Sequence, residues 1–185
     1  MNKAFFKHFQ IIFLIFIIFL NLGTFFFTAP LSQNLSDLGN ALGHKNYLII
    51  WGFSSALYFF IYTFKFMKKN RYPYRLGYLI LLLSCIFMAA SVCIPYDPFH
   101  APFFSKWHTQ LAMVGTSAYV LLFYHILTTI MKKDIFLFQY CIRSYTILVV
   151  CDLLLYLLNS GVSTLLETSF AITMSFLLYQ YIKKE

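Results

Sequence analysis

Six apolar stretches follow one another along the chain, separated by short polar or proline-bearing segments. They run at about 9–29, 47–66, 76–95, 108–131, 136–158 and 162–182. A bilayer core about 30 Å thick is crossed by about 20 helical residues rising about 1.5 Å each. The pattern therefore predicts an all-α polytopic membrane protein, with one domain over residues 1–185 built as a bundle of six transmembrane helices.

The breaks are as informative as the spans. The first stretch ends near Pro30 and opens into a polar segment, 30–46, which contains Ser32, Gln33, Asn34, Ser36, Asp37, Asn40 and His44. Tyr47 and Trp51 open the second span, and Tyr72 and Tyr74 flank Pro73 after it, as aromatic belts do at membrane interfaces. Span three stops at Pro95. The segment 96–107 that follows carries Pro98, Pro102 and several aromatics, and reads as a stiff loop lying in the interface. Asn159-Ser160-Gly161 is a tight turn, so spans five and six form an antiparallel hairpin.

Charge then orients the bundle. Of the 14 Lys and Arg residues, all except Lys45 and Lys106 fall on one side of the spans, in or near alternate connections or at the two ends. Lys3 and Lys7 precede span one. Lys65, Lys68, Lys69, Arg71 and Arg75 lie between spans two and three, Lys132, Lys133 and Arg143 near the junction of four and five, and Lys183 and Lys184 after six. Cationic loops are retained on the cytoplasmic side, so both termini are expected in the cytoplasm, with a bacterial inner membrane as the expected location.

Composition narrows the function classes. At 61% hydrophobic and 11% charged residues the chain cannot cover a globular surface, and six spans leave no room for a soluble catalytic domain. The net charge of +8 is juxtamembrane, where it meets anionic lipid headgroups, so nucleic acid is not an expected partner and membrane lipid is. The run from Phe9 to Thr28 is too long for a signal-peptide core and lacks a small-residue cleavage site, which makes it an uncleaved span. Cys85, Cys93, Cys141 and Cys151 fall within predicted helices without metal spacing and read as packing residues.

Charge inside the bilayer is costly, about 2.5–3.5 kcal/mol for an aspartate at a helix centre, so each such group needs a reason. Asp152 lies in the outer half of span five, with Tyr156 and Asn159 on its face, and Glu167 lies in the first turns of span six. With Asp37, Asp97, His44, His100 and His108 they concentrate acids and three of five histidines toward the outer side. His108 opens span four, and Ala112, Gly115 and Tyr119 continue its face as a small-residue ridge that admits a close helix neighbour. An imidazole there, beside Asp97 across the proline-rich loop, could serve as a general base or proton relay; equally, it could cap the helix. No HExxH, GxSxG, SxxK or Walker motif occurs, and His100 and His108 are not at the i, i+4 spacing of a helical metal pair.

The order Leu35-Ser36-Asp37-Leu38-Gly39 after the first span, Ile94-Pro95-Tyr96-Asp97 after the third, and His108 at the start of the fourth resembles a bacterial and archaeal family of six-span membrane proteins of unknown function. That family is related to the eukaryotic damage-regulated autophagy modulators and to the lipid-remodelling proteins that mature GPI anchors. The resemblance spans nearly the whole chain and implies a six-helix bundle with a polar site at the outer loops, matched at Ser36, Asp37, Asp97 and His108. A second likeness, to membrane hydrolases that hold zinc with three histidines, an aspartate and a serine, lacks their late HxxxH pair.

The expectation is an outward-facing site of Ser36, Asp37, Asp97, His108, Asp152 and Glu167 that binds or handles a lipid or small polar ligand. The alternatives are an intramembrane lipid hydrolase or transferase, with His44, His100 and His108 near a metal, and a small proton-coupled transporter using Asp152 and Glu167.

Overall fold

The computed structural model describes residues 3–184, with side chains from His8 onward, so the side chains of Lys3 and Lys7 lie outside the described residues. The described chain is helical, in the order α1 (Lys3–Gly23), a 3₁₀ turn (Thr24–Phe26), α2 (Leu35–Asn40), α3 (Lys45–Lys69), α4 (Arg75–Ser91), α5 (Pro102–Met131), α6 (Ile135–Leu158) and α7 (Thr164–Lys183). Four of these are long and apolar enough to cross a membrane: His8–Phe26, α3, α5 and α6. Helix α4 is apolar but has 17 residues. Helix α7 has 20 residues and is more polar, with Thr164, Glu167, Thr168, Ser169, Thr173 and Ser175 along it.

Local chemistry explains where the helices differ from the expected spans. Helix α4, the third expected span, ends at Ser91, four residues before Pro95, because a proline ring collides with the carbonyl at i−4. The fifth helix begins six residues ahead of its expected start, since Pro102 occupies its first turn, where a missing N–H costs nothing. The loop 96–107 is thus half helix. Cys93 lies in the turn beyond α4 and is exposed, as is Cys151, whereas Cys85 and Cys141 are buried. The segment 30–46 carries α2, started by a capping box: Asn34 Oδ1 accepts from the Asp37 amide, and Asp37 Oδ2 accepts from the Asn34 amide, both at 3.0 Å.

The long helices pack in a closed circuit. Helix α4 lies along α5 and against α3, α5 against α6, α6 against α7, and α1 against α3 and α7, while α3 and α7 also touch across the middle. Between α3, α5 and α7 runs an aromatic column: Phe59 stacks on Tyr119 at 5.3 Å, Phe66 on Phe123 at 5.8 Å, and Phe123 on Tyr181 at 6.2 Å. Several hydroxyls in and beside it are satisfied within the bundle, as a hydrocarbon surrounding favours, while the buried Tyr62 hydroxyl has no hydrogen-bond partner among the described residues. Tyr119 shares a 2.7 Å hydrogen bond with Thr63, Tyr145 donates to the Val120 carbonyl at 2.8 Å, and Tyr58 to that of Ser175 at 3.1 Å. By contrast α6 buries Cys141, Tyr145 and Leu148 and turns Ile147, Leu153, Leu154 and Leu157 outward.

Two ends result. At one, Lys133 Nζ donates to the Asn70 and Arg71 carbonyls and Lys69 Nζ to those of Ile182 and Lys184, which gathers the basic connections and the last helix. At the other, the Thr164 amide and hydroxyl donate to the Gln33 carbonyl and the Leu165 amide to that of Pro30. The orphan N–H groups of α7 thereby anchor the segment ahead of α2.

Candidate functional site

The site lies at this second end, where α2 bridges α5 and α7. On α2, Ser36 reaches His108 in the second turn of α5: Ser36 Oγ stands 2.6 Å from His108 Nε2. His108 Nδ1 stands 3.1 Å from the Ile94 carbonyl. A carbonyl can only accept, so Nδ1 carries the ring proton and Nε2 presents its lone pair. The Ser36 hydroxyl therefore donates to Nε2. His108 is 4% exposed while Ser36 is half-buried, so the base is sheltered and the hydroxyl is within reach of the surface. The Tyr96 ring lies 5.2 Å from the imidazole.

Glu167 closes the other flank. Its Oε2 accepts the Leu35 amide at 2.8 Å, one residue before Ser36, and Asp37 on the same short helix is within electrostatic reach of it. Lys45, at the start of α3, is close enough to His108 for the two to interact electrostatically. Ser36, Asp37, His108 and Glu167 are thus brought around one six-residue helix, with Lys45 within electrostatic reach of His108.

The remaining expected members stand elsewhere. Asp97 does not orient His108, a role the Ile94 carbonyl takes. Its Oδ1 accepts from the Phe99 and His100 amides at 3.1 and 3.0 Å, and its Oδ2 from His100 Nδ1 at 2.8 Å. The His100 amide foremost, then its ring and the Phe99 amide, hold the Asp97 carboxyl below the ordinary carboxylate range. Asp152 faces α7 and accepts from Ser169 Oγ at 2.7 Å, while its Oδ2 is buried with no hydrogen-bond partner among the described residues. Ser169 and Glu167 are two residues apart, so Asp152 and Glu167 meet opposite sides of α7.

The three histidines of the metal reading are dispersed too. His44 lies against Phe27 with ring centroids at 4.5 Å, His100 pairs with Asp97, and His108 with Ser36. Among the described residues no three His, Cys, Asp or Glu side chains form a group that could hold a metal ion.

Several contributors escape a reading of spacing alone. The Ile94 carbonyl has no side-chain signature, and Lys45 looks like an isolated exception to the charge pattern. The Asn34-x-x-Asp37 pair is the one local signal that could have marked α2. Chemically, the assembled groups can accept a proton from a serine hydroxyl, offer hydrogen bonds to a polar group, and balance an anion. No protein-family model, no curated protein and no solved structure matches this chain.

Proposed function

We propose that the chain is a six-span protein of a bacterial inner membrane, with both termini in the cytoplasm, whose outer end binds or handles a membrane lipid headgroup or small polar ligand. Ser36, Asp37, His108 and Glu167 form its contact set. The observation that carries this reading is the Ser36–His108 hydrogen bond, a polar pair joining two otherwise separate segments at the half-exposed end of an apolar bundle. Kinship with the six-span prokaryotic family belongs to the same proposal and rests on Leu35–Gly39, Ile94–Asp97 and His108.

The topology is supported by the collection of the basic connections at the opposite end through Lys69 and Lys133. Helix α4 spans with 17 residues because its polar flanks, Arg75 and the turn after Ser91, lie within the reach of snorkelling and local thinning. Single cysteines placed at Ser32 or Lys106, in a background without the native cysteines, should react with an impermeant maleimide from outside; those at Arg71 or Lys132 should not. The opposite labelling would invert the bundle.

Binding is tested by mass spectrometry of the detergent-purified protein. Co-purified lipid should be retained by the wild type and depleted at least severalfold in Ser36→Ala and Glu167→Gln. Equal retention in all three removes the site. A second reading, proton-coupled transport, is favoured by the buried and unpartnered Oδ2 of Asp152. Uptake into liposomes that Asp152→Asn abolishes would support it.

A further inference from the structure

Many hydroxyls of this bundle bond to a carbonyl close by in sequence, and Ser36 does not. Ser84, Ser105, Thr109, Ser144 and Thr168 each donate to a carbonyl three or four residues back in the chain. That is the default in apolar surroundings, where a side chain satisfies itself locally. Ser36, like Thr63 and Thr164, reaches a distant segment instead, and its partner, 72 residues away, is an imidazole nitrogen. We propose that Ser36 is a nucleophile, His108 its general base, and the carboxylic ester of a membrane phospholipid the substrate class. This rests on the lipid-handling reading and deepens it.

The parts of an activated serine are present in order. The nucleophile hydrogen-bonds to the base, and the base is oriented by a third group, the Ile94 carbonyl, which fixes the tautomer that leaves Nε2 free to accept. A phospholipid is indicated by the residues that precede His108 in the chain and by Lys45. Phe99, Phe103, Phe104 and Trp107, on the loop before α5 and its first turns, are each about half-exposed or more and suit the interface depth where ester linkages lie. Lys45 supplies a cation for the neighbouring phosphate.

The step balances without a cofactor. Ser36 Oγ attacks the ester carbonyl carbon as its proton passes to His108 Nε2. The carbon–oxygen bond to the alcohol breaks, the imidazolium returns that proton to the departing oxygen, and the acyl group remains on Oγ. Water, deprotonated by the same nitrogen, then attacks the acyl carbon, the bond from that carbon to Oγ breaks, and the imidazolium returns the proton to Oγ, releasing the carboxylic acid and restoring serine. An imidazolium facing a neutral carbonyl is stabilised less than one facing a carboxylate, so turnover is expected to be slow beside a Ser-His-Asp enzyme.

The test is labelling of the full chain in detergent with a fluorophosphonate, read by intact mass and by peptide mapping, alongside lipid retention. The expected result is one adduct, on Ser36, absent in Ser36→Ala and formed about 10²-fold more slowly in His108→Gln, the loss expected of a missing general base. Fatty acid should also be released from phosphatidylglycerol vesicles by the wild type and not by Ser36→Ala. Peptide mapping of the wild type decides the matter even if His108→Gln does not fold. No adduct on Ser36 in wild-type protein that still retains lipid overturns the nucleophile and leaves the binding reading standing. No adduct and no retained lipid overturn both.

Discussion

Glu167 of α7 accepts the backbone N–H of Leu35 at 2.8 Å, across 132 residues of sequence. The carboxylate thereby holds the first turn of α2, and with it Ser36, against the end of another helix. Removing it in Glu167→Ala should cost about 1.5–2 kcal/mol, the lower part of the range for a hydrogen bond to a charged group, because Glu167 is half-exposed. Glu167→Gln, which keeps an acceptor oxygen, should cost less. Thermal unfolding in detergent measures the difference, and hydrogen exchange at Leu35 should accelerate in the alanine variant well before the rest of the bundle responds.

Gly115 lies where the backbones of α4 and α5 come close together. A Cβ there would lie 2.9 Å from the Ser84 carbonyl oxygen and 3.0 Å from the Met88 amide nitrogen, both backbone atoms that cannot swing aside. Gly115→Ala should therefore push the two helices apart and destabilise by about 1–3 kcal/mol, the range for an overpacked core. Gly43 is the contrast: it has φ +76° with open space around it, so Gly43→Ala should cost about 1 kcal/mol from backbone conformation alone. Detergent-driven unfolding followed by tryptophan fluorescence would rank the two.

The helical class and the positions of the long helices were legible because apolar run length is a property of the chain alone. The ridge through Gly115 was legible for a similar reason, since small residues at helical spacing show themselves on one face. Helix ends were harder: α4 stops at Ser91 and α5 starts at Pro102 because proline acts on backbone groups several residues away. Of the six expected site residues, Ser36, Asp37, His108 and Glu167 gather around α2 while Asp97 and Asp152 do not, and residue type alone left that pairing open. Whether Asp152 meets Glu167 or Ser169 depends on how α7 is rotated against α6, and periodicity within one helix leaves that rotation open. The Ile94 carbonyl, which takes the place expected of Asp97 beside His108, is invisible to any argument from residue type.

Thr63 and Tyr119 are both essentially inaccessible and share one hydrogen bond of 2.7 Å between α3 and α5. A cycle of Thr63→Val, Tyr119→Phe and the double variant isolates their coupling. Its expected value is about 0.6 kcal/mol and no more than about 1.7, the span found for such pairs between membrane helices. Each single variant should lose more than the double predicts by addition, because each leaves a buried hydroxyl without its partner. A coupling near zero would mean that the aromatic stacking of Phe59 on Tyr119 carries this contact by itself.

The loop before α5 should respond to acid through Asp97. Its carboxyl titrates below the ordinary value of 3.8 in the folded chain because the His100 amide, and after it the His100 ring and the Phe99 amide, favour the charged form. A carboxylate with a depressed folded value stabilises the fold above its unfolded value and loses that contribution as pH falls through the folded one. Protection of the Phe99 and His100 amides, corrected for intrinsic exchange, should hold from neutrality down to about pH 4 and then fall. Asp97→Asn should already lack part of that protection at neutral pH and show no acid step. Because Ser105 Oγ accepts the Asp97 amide at 2.8 Å and donates to the Ala101 carbonyl at 3.0 Å, the start of α5 should keep its own protection in both proteins. Loss of helix protection together with the loop would mean that Asp97 anchors α5 itself and not the turn ahead of it.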